Sequence, residues 1–478
     1  MNEELKKEVN EYQNLGRRER RKIEKQLQKK YNNKDIRIKS HKTFKKSESL
    51  KREQRRQLVK DKDLLKEVIK ITRKYFPSLT TLFSQVTDKR HKSYITYNIR
   101  TIITTRLLAL ICGITTMTEI SKTFNTDEAI KNLSSICNQH LKETPDWQTI
   151  QDIFEELDIN EIEDIRKYMI NTLIRSKMFD KYRYNGMIQL LVDATGLNSM
   201  DFNLNNNCIT KTQTKTGKTK YYKYVLEAKI VFGNIVLSLD SEWIENTEIN
   251  TETDKQDCEN KAFKRMAKRI KKNYPKLVFI ITGDALYANT PIINICKDYK
   301  WKFIFNLKKD RLKNVYETFV DNINYHNETN KDNYYLSRNI EYKENTFHAF
   351  KYSEVTDKKI TDFHYISNLN VTNNNINKIV EMGRRRWKIE NEGFNEQKNG
   401  IFNISHLCSR NDNALKIHYL FIQLAHIIRQ LLEKGSLILR EIKLKTKKEI
   451  SRIITNTLIS SISDLNILET NFQLRFDD

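Results

Sequence analysis

The chain alternates between helical and strand-like patterns of hydrophobic residues. From about Leu64 to Lys181, apolar residues recur at three- and four-residue steps, the period of an amphipathic helix. One such run is Ile150, Ile153, Phe154 and Leu157. We therefore predict a helical domain over residues 64–183. Within it, Met117 to Phe124 fits either part of a helix-turn-helix or an ordinary core helix.

Short apolar runs follow, and two of them end on aspartates. Met187 to Val192 is typical of a buried strand and is followed by Asp193. Leu277 to Gly283 is a second such strand and is followed by Asp284. A carboxylate at the carboxyl end of a central strand faces the crevice in which open α/β sheets bind ligands. Each aspartate could instead act locally, Asp193 in a turn and Asp284 as a helix N-cap.

The segment around these strands predicts a meander followed by helix-linked strands. Tyr221 to Phe232 and Ile235 to Leu239 are β-rich and flank Gly233-Asn234, a strong two-residue hairpin signal. A charged helix is expected at about Asp254 to Asn273, and a further helix and strand follow the second aspartate. This order is the topology of the ribonuclease-H-like fold. The predicted fold class is therefore α/β, with a core of that type.

The rest of the pattern completes the expected organisation. A β-rich stretch interrupts the core, a helix resumes at about Asn374 and continues to Lys398, and apolar helices such as Asn413 to Lys434 close the chain. We predict a basic arm, a helical domain, the first part of the core, a β-rich insertion, the second part of the core and a C-terminal helical tail. Their residues are, in the same order, 1–63, 64–183, 184–307, 308–372, 373–434 and 435–478.

Charge adds a partner to this picture. The 478 residues carry a net charge of +24, which favours a polyanion such as nucleic acid as the partner. Residues 1–60 hold 21 Lys or Arg against 9 Asp or Glu, a net charge of +12, with few apolar residues. We expect this arm to lack a core of its own. It could contact DNA or be a solvated, flexible tail.

Cysteine spacing and hydropathy exclude other classes. The six cysteines form no CxxC pair, which argues against a zinc cluster and fits a reducing cytosol. The most apolar early stretch, Ile102 to Met117, contains Arg106 and is too short to span a bilayer. We expect a cytoplasmic protein without a membrane segment.

A third acidic residue, Glu390, lies in a stripe of helical spacing. The stripe contains Ile376, Val380, Gly383, Trp387, Glu390 and Phe394. Glu390 is thus expected on a buried face with Trp387 and Phe394, where an ionised carboxylate needs a partner. That partner could be Arg386, one turn earlier, or a metal ion.

Asp193, Asp284 and Glu390 together predict a metal site. Carboxylate oxygens are hard ligands, which suit Mg²⁺ or Mn²⁺ rather than zinc. Two ions about 4 Å apart would activate the attacking oxygen and stabilise the leaving oxygen of a phosphodiester. We therefore predict that these three residues are metal ligands and catalytic residues of a phosphoryl-transfer enzyme.

The sequence around these residues resembles the DDE transposases of bacterial insertion sequences, specifically the insertion-sequence-four-like group. The signature of that group is Tyr, two residues, Arg, three residues, Glu, six residues, Lys. Arg386 and Glu390 match it in spacing. Gly383 stands at the Tyr position, and Lys398 lies one place after the expected Lys, where Gln397 stands. The stretches VDATGL, GDALYA and IENEGFNEQKN carry the rest of the resemblance.

The resemblance covers roughly Tyr184 to Glu433. It implies metal-dependent cleavage and strand transfer at the terminal inverted repeats of a mobile element, in a nucleoid-associated bacterial enzyme. Double-stranded DNA, both element ends and target, would be its partner, and a homodimer would form the synaptic complex. It also implies that the helical domain over residues 64–183 binds the terminal inverted repeats, and that Arg386 and Lys398 contact DNA phosphates. Two alternatives stay open: an inactive DNA-binding derivative, and a nuclease of the same fold acting on another nucleic acid.

Overall fold

The computed structural model describes most of the chain. The described residues are 12, 17–31, 38, 63–214, 217–246, 256–328, 332–356, 359–442, 446–460 and 474–476. They belong to two compact units, Met1–Lys62 and Asp63–Asp478. The second unit contains the predicted helical domain, core, insertion and tail.

The first unit contains one described helix, α1, at Arg17–Lys30. Leu27 and Ile38 are buried there, with Tyr12, Ile23 and Tyr31 packed against them. This small apolar cluster lies within the predicted basic arm, where the sequence analysis expected no core. Residues 39–62, which include the Arg- and Lys-rich run near position 52, lie outside the described residues.

Helices precede the sheet in the second unit, as predicted. They are α2 (Leu64–Tyr75), α3 (Leu79–Gln85), α4 (Ile99–Ile111), α5 (Met117–Phe124), α6 (Asp127–Cys137), α7 (Trp147–Glu156) and α8 (Ile159–Arg175). Most begin at a side-chain N-cap, such as Asn98 of α4 or Asp158 of α8. The candidate helix-turn-helix segment coincides with α5, whose Ile120 and Phe124 are fully buried.

Ten described strands form one mixed sheet. They are β1 (Ile188–Met200), β2 (Ile209–Thr212), β3 (Thr219–Phe232), β4 (Ile235–Ile244), β5 (Phe279–Gly283), β6 (Lys302–Asn306), β7 (Tyr325–Glu328), β8 (Asp332–Tyr342), β9 (Asn345–Thr356) and β10 (Lys359–Ser367). The core order is β4-β3-β1-β5-β6. Strands β1, β3 and β4 are antiparallel, whereas β5 runs parallel to β1 and to β6. This arrangement confirms the predicted ribonuclease-H-like core.

Two predicted features of the core are also present. Gly233, with φ of +57°, and Asn234 form the turn between β3 and β4. The helices that link the parallel strands are α9 (Glu259–Asn273) and α10 (Thr290–Asp298). The β-rich stretch begins with α11 (Lys313–Asp321), and its last strand, β10, pairs antiparallel with β6. The core sheet therefore continues into the insertion.

The C-terminal part of the chain returns to the core. Its helical elements are α12 (Ile376–Arg384), a π-helical turn (Ile389–Asn395), α13 (Glu396–Asn399), α14 (Asp412–Gly435), α15 (Leu437–Ile442) and α16 (Lys447–Ser460). Helix α14 is buried along most of its length and packs against α4, α7, α8 and β4. It therefore joins the helical region to the sheet. Among the described helices, none has both the length and the apolar character needed to cross a bilayer.

Candidate active site

The pairing of β1 with β5 brings the two predicted aspartates to one level. Leu191 lies opposite Thr282 in this parallel pair. Asp193 and Asp284 lie two residues after Leu191 and Thr282, so they occupy neighbouring positions where β5 ends. The expectation that Asp193 ends its strand is wrong, because β1 continues to Met200. The site forms here because β5 is the shorter strand and leaves the edge of β1 open.

Local hydrogen bonds fix both carboxylates. The main-chain N–H of Ala194 donates to Oδ1 of Asp193 at 3.0 Å. The N–H of Leu286 donates to Oδ1 of Asp284 at 2.8 Å, in the turn that leaves β5. Helix α10 is capped by Asn289 instead. The alternative interpretation of Asp284 as the N-cap of this helix is therefore wrong.

The charge of Glu390 affects the pKa of Asp193. Burial raises the pKa of Asp193 to about 6, and the negative charges of Asp284 and Glu390 add to the rise. The guanidinium of Arg386 and the Ala194 N–H act in the opposite direction. Asp193 is therefore close enough to both Asp284 and Glu390 to be affected by their charges, and Arg386 offsets part of this effect.

Arg386 reaches the site by an ion pair with Asp193. A guanidinium nitrogen lies 3.5 Å from Oδ2 of Asp193, and both side chains are largely buried. The guanidinium also lies 4.7 Å from the ring centroid of Trp387, a cation–π distance. The sequence analysis offered Glu390 as the structural partner of Arg386. The structure instead pairs Arg386 with the strand aspartate.

The two preceding arginines have other partners. Arg384 contacts Glu354 in the insertion at 3.4 Å. Arg385 pairs with Glu381, one turn earlier on α12, at 2.6 Å. Arg386 is thus the member of this run that faces the aspartates.

Glu390 lies in a π-helical turn, and its predicted burial is wrong. Helix α12 ends at Arg384, i→i−3 hydrogen bonds follow, and the π-helical turn begins at Ile389. Consequently Glu390 and Trp387 are exposed, whereas Ile389 and Phe394 are buried. The break rotates the predicted stripe, which assumed one continuous α-helix. Within the described residues, the Glu390 carboxylate has no hydrogen bond or ion pair.

The two signature positions that depart from the family pattern have structural reasons. A Cβ on Gly383 would lie 2.7 Å from the ring of Tyr365, so a ring from β10 already fills the space beside the helix. Gln397 is fully buried, and its amide donates to Gln423 at 2.8 Å and lies 3.2 Å from Nδ1 of His426. Position 397 therefore belongs to the core, and a lysine there would bury its charge.

The family model described as Transposase DDE domain matches residues 185–428, which is half of the chain and includes all three carboxylates. The chain belongs to this family. A second family model, described as DDE_Tnp_1-associated, matches residues 80–169. A search of curated proteins finds no match to the chain.

The protein is therefore a DNA transposase, an enzyme that acts on DNA phosphodiester bonds. Enzymes of this family bind DNA and use divalent metal ions. The associated model covers α3 to α8 almost completely. The helical region and the core are thus both parts that this transposase shares with its family.

Sequence patterns did not reveal one further carboxylate near the candidate active site of the transposase. Glu259 is the first residue of α9, and its Oε2 accepts a hydrogen bond from the buried Tyr287 hydroxyl at 3.2 Å. Burial raises the pKa of Glu259 to about 7, and the charges of Asp193 and Asp284 add to the rise. No sequence signal identified it, because it lies in a charged helix far from both aspartates along the chain.

The donor chemistry of the site fits a hard divalent cation. Asp193 and Asp284 offer carboxylate oxygens from adjacent strands, and their mutual repulsion is the kind that a cation relieves. Within the described ranges, however, no group of three or more His, Cys, Asp or Glu side chains is arranged to hold a metal ion. The two aspartates therefore fit as first ligands, and Glu390 lies nearby without completing a cluster.

Proposed function

We propose that Asp193, Asp284 and Glu390 are the catalytic carboxylates of this transposase, and that they hold Mg²⁺ or Mn²⁺, as two ions. The observation that carries the proposal is the level placement of the two aspartates by the β1–β5 register. The negative charges of Asp284 and Glu390 both raise the pKa of Asp193, which supports the inclusion of Glu390 in the site. When bound, the ions would supply activation of the attacking oxygen and stabilisation of the leaving oxygen.

We also propose that Arg386 and Lys398 bind the DNA backbone beside the scissile phosphate. The planar guanidinium of Arg386 is suited to bidentate phosphate contact. Its guanidinium lies 3.5 Å from Asp193, beside the proposed catalytic carboxylates. Lys398 lines a cleft of about 580 Å³ together with Lys448 and Arg452. These three cations outnumber the one carboxylate of the lining, Glu119, which favours an anionic ligand such as the DNA backbone.

The carboxylates and Arg386 would have different roles because their charges are opposite. Carboxylates near a phosphodiester would repel it, and the cations bound to them would reverse that repulsion. Arg386 balances Asp193 while the site holds no other cation. With metal held by the carboxylates, the guanidinium would be available to neutralise a phosphate oxygen. Arg386 would thus have two alternative partners at one site, Asp193 and a DNA phosphate.

The DNA substrate follows from the proposed reaction. The ends of the element carrying this gene, its terminal inverted repeats, would be bound and cleaved, and strand transfer would join them to target DNA. Two ends must be held together, which a homodimer would do. The helical region would add contacts to the DNA. Residues 1–60, with a net charge of +12, would add contacts to its backbone.

Cleavage assays with three substrates test this function. The substrates are a duplex carrying the inverted repeats that flank the gene, a four-way junction and an RNA–DNA hybrid, each with and without Mg²⁺. We expect Mg²⁺-dependent cleavage at the repeat boundary of the duplex and little cleavage of the other two. Preferential cleavage of the junction or the hybrid would contradict the proposal.

A further inference from the structure

The spacing of Glu390 and Lys398 poses a geometric problem. Residues of an α-helix turn by about 100° each, so a side chain seven positions on returns to within about 20° of its starting direction. Lys398 follows Glu390 by eight positions. In a regular α-helix it would therefore point about 80° away from Glu390.

The π-helical turn between them removes this difference. Its i→i+5 hydrogen bonds close a turn that holds one more residue than an α-helical turn. The turn occupies Ile389–Asn395 and is followed directly by α13, which carries Lys398. One extra residue is thus absorbed between Glu390 and Lys398, and eight positions there correspond to seven in an α-helix.

The buried side of the turn confirms this register. Ile389 and Phe394, five residues apart, pack into the same core cluster with Leu191, Val231 and Val236. Five α-helical steps would separate their directions by about 140°, so both could not enter one cluster. The hydrophobic core of the sheet therefore holds the turn in its expanded form.

Polar residues beneath the turn hold its main chain. The side-chain amide of Gln430, on α14, donates to the carbonyl oxygen of Glu392 at 3.2 Å. A Cβ on Gly393 would lie 3.2 Å from Cδ of Lys229, so the glycine allows close approach to this buried lysine. The ammonium of Lys229 lies 3.2 Å from Glu227, another buried residue.

As a result of the turn, Gln397 and Lys398 lie in different environments. Gln397 points into the core, where it contacts Gln423 and His426. Lys398 is half-buried beside the cleft, and within the described residues its ammonium has no ion pair or hydrogen bond. Burial lowers the pKa of Lys398, and the charge of Glu390 partly offsets this effect.

We propose that the π-helical turn positions Lys398 on the same face of the segment as Glu390. In a regular α-helix with the spacing of the family signature, a lysine at position 397 would occupy this face. The role of Lys398 towards phosphate rests on the proposed function, whereas the register itself does not. The positioning residues are those that hold the turn, chiefly Ile389, Phe394 and Gln430.

Two single variants test the register without DNA chemistry. Gln397→Lys should lower the melting temperature by several degrees, because it buries a charge in the core. Lys398→Gln should leave the melting temperature unchanged. Equal stability of both variants, with Gln397→Lys binding DNA more tightly than the wild type, would overturn the proposal, since position 397 would then face outwards.

Two further variants test the positioning by activity. The double variant Gln397→Lys with Lys398→Gln places a lysine at the family spacing, and we expect at least a tenfold loss of cleavage. Deletion of the exposed Asn391 leaves Ile389 and Phe394 four residues apart and Lys398 seven positions from Glu390, so the turn can close as an α-helix with both core residues buried, and we expect cleavage within about threefold of wild type. Insertion of one alanine after Asn391 is the matched control and should abolish cleavage. Wild-type cleavage by the double variant would overturn the proposal, even if the deletion variant did not fold.

The phosphate role has a separate readout. Lys398→Gln should make the slope of log affinity for DNA against log salt shallower by about 0.9, the contribution of one phosphate contact. The control is Lys313→Gln on the exposed face of α11, which should not change the slope. If the stability contrast holds but the slope and cleavage stay at wild-type values, the proposed function of Lys398 fails while the register stands.

Discussion

Arg386 forms its ion pair with Asp193, on the central strand of the sheet, rather than with Glu390, four residues further along its own segment. The pairing links the helical segment to the strand across the active site. It also leaves the Glu390 carboxylate without a partner in the described part of the chain. Under the proposed function, Arg386 would balance Asp193 without metal and would contact a DNA phosphate when the carboxylates hold metal.

Replacing Arg386 separates this role from a purely structural one. We expect Arg386→Ala to keep the fold and to lose cleavage by about 100-fold or more, the usual effect of removing one donor at a developing charge. Arg386→Lys should recover only part, because an ammonium cannot reproduce the planar fork. Arg385→Ala is the control, since Arg385 pairs with Glu381 outside the site. Thermal unfolding and single-turnover cleavage should be measured on each variant. A large loss of stability, with normal cleavage by the folded fraction, would leave Arg386 a structural residue.

Gly383 should not tolerate a side chain. A Cβ there would lie 2.7 Å from the ring of Tyr365, which is buried against the helix. Such overpacking costs about 1–3 kcal/mol, which exceeds the gain of up to about 1 kcal/mol from alanine in a helix. We therefore expect Gly383→Ala to lower the free energy of unfolding. Asn377→Ala, on the exposed face of α12, is the control for helix propensity. A stabilised Gly383→Ala variant would show that the ring moves aside.

Glu259 should make the stability of the metal-free enzyme depend on pH. The pKa of Glu259 in the folded protein is about 7, above its ordinary value of 4.5, so the folded state favours the neutral form. Stability from this group is present below pH 4.5 and is lost as pH rises through 7. We expect Glu259→Gln to raise the melting temperature at pH 8 in EDTA by a few degrees and to have little effect at pH 4.5. Glu341→Gln, on exposed β8, is the control. The same shift at both pH values would contradict the assignment.

The basic N-terminal residues should contribute DNA affinity without sequence preference. Removing residues 1–60 deletes a net charge of +12. Each lost phosphate contact makes the slope of log affinity against log salt shallower by about 0.9. We expect weaker binding, a shallower slope and an unchanged preferred sequence for the truncated protein. An unchanged slope would mean that this segment does not contact DNA.

Strand patterning made the aspartates of this site predictable. The apolar runs before Asp193 and Asp284 mark buried strands, and the Gly233-Asn234 turn marks the hairpin beside them. These signals are local, so the sequence alone contains them. The level placement of the two aspartates depends on strand register, which the sequence could suggest but not specify.

The environment of Glu390 was not predictable by the same means. An assumed period of 3.6 residues placed Glu390 on a buried face, whereas the π-helical turn exposes it. The five-residue step from Ile389 to Phe394 was the available signal, and a regular helix pattern does not accommodate it. The position of Glu259 near the aspartates could not be predicted from local sequence patterns, because it depends on the tertiary packing of α9.

The central claim is that Asp193, Asp284 and Glu390 act together as the catalytic carboxylates. The most direct measurement is Mg²⁺-dependent cleavage of an inverted-repeat duplex by Asp193→Asn, Asp284→Asn and Glu390→Gln, with DNA affinity measured in parallel. Asp298→Asn, an exposed residue at the end of α10, is the matched control. We expect each of the three variants to lose cleavage and keep DNA binding, and the control to match the wild type. Near-wild-type cleavage by any one of the three would contradict the assignment of that residue.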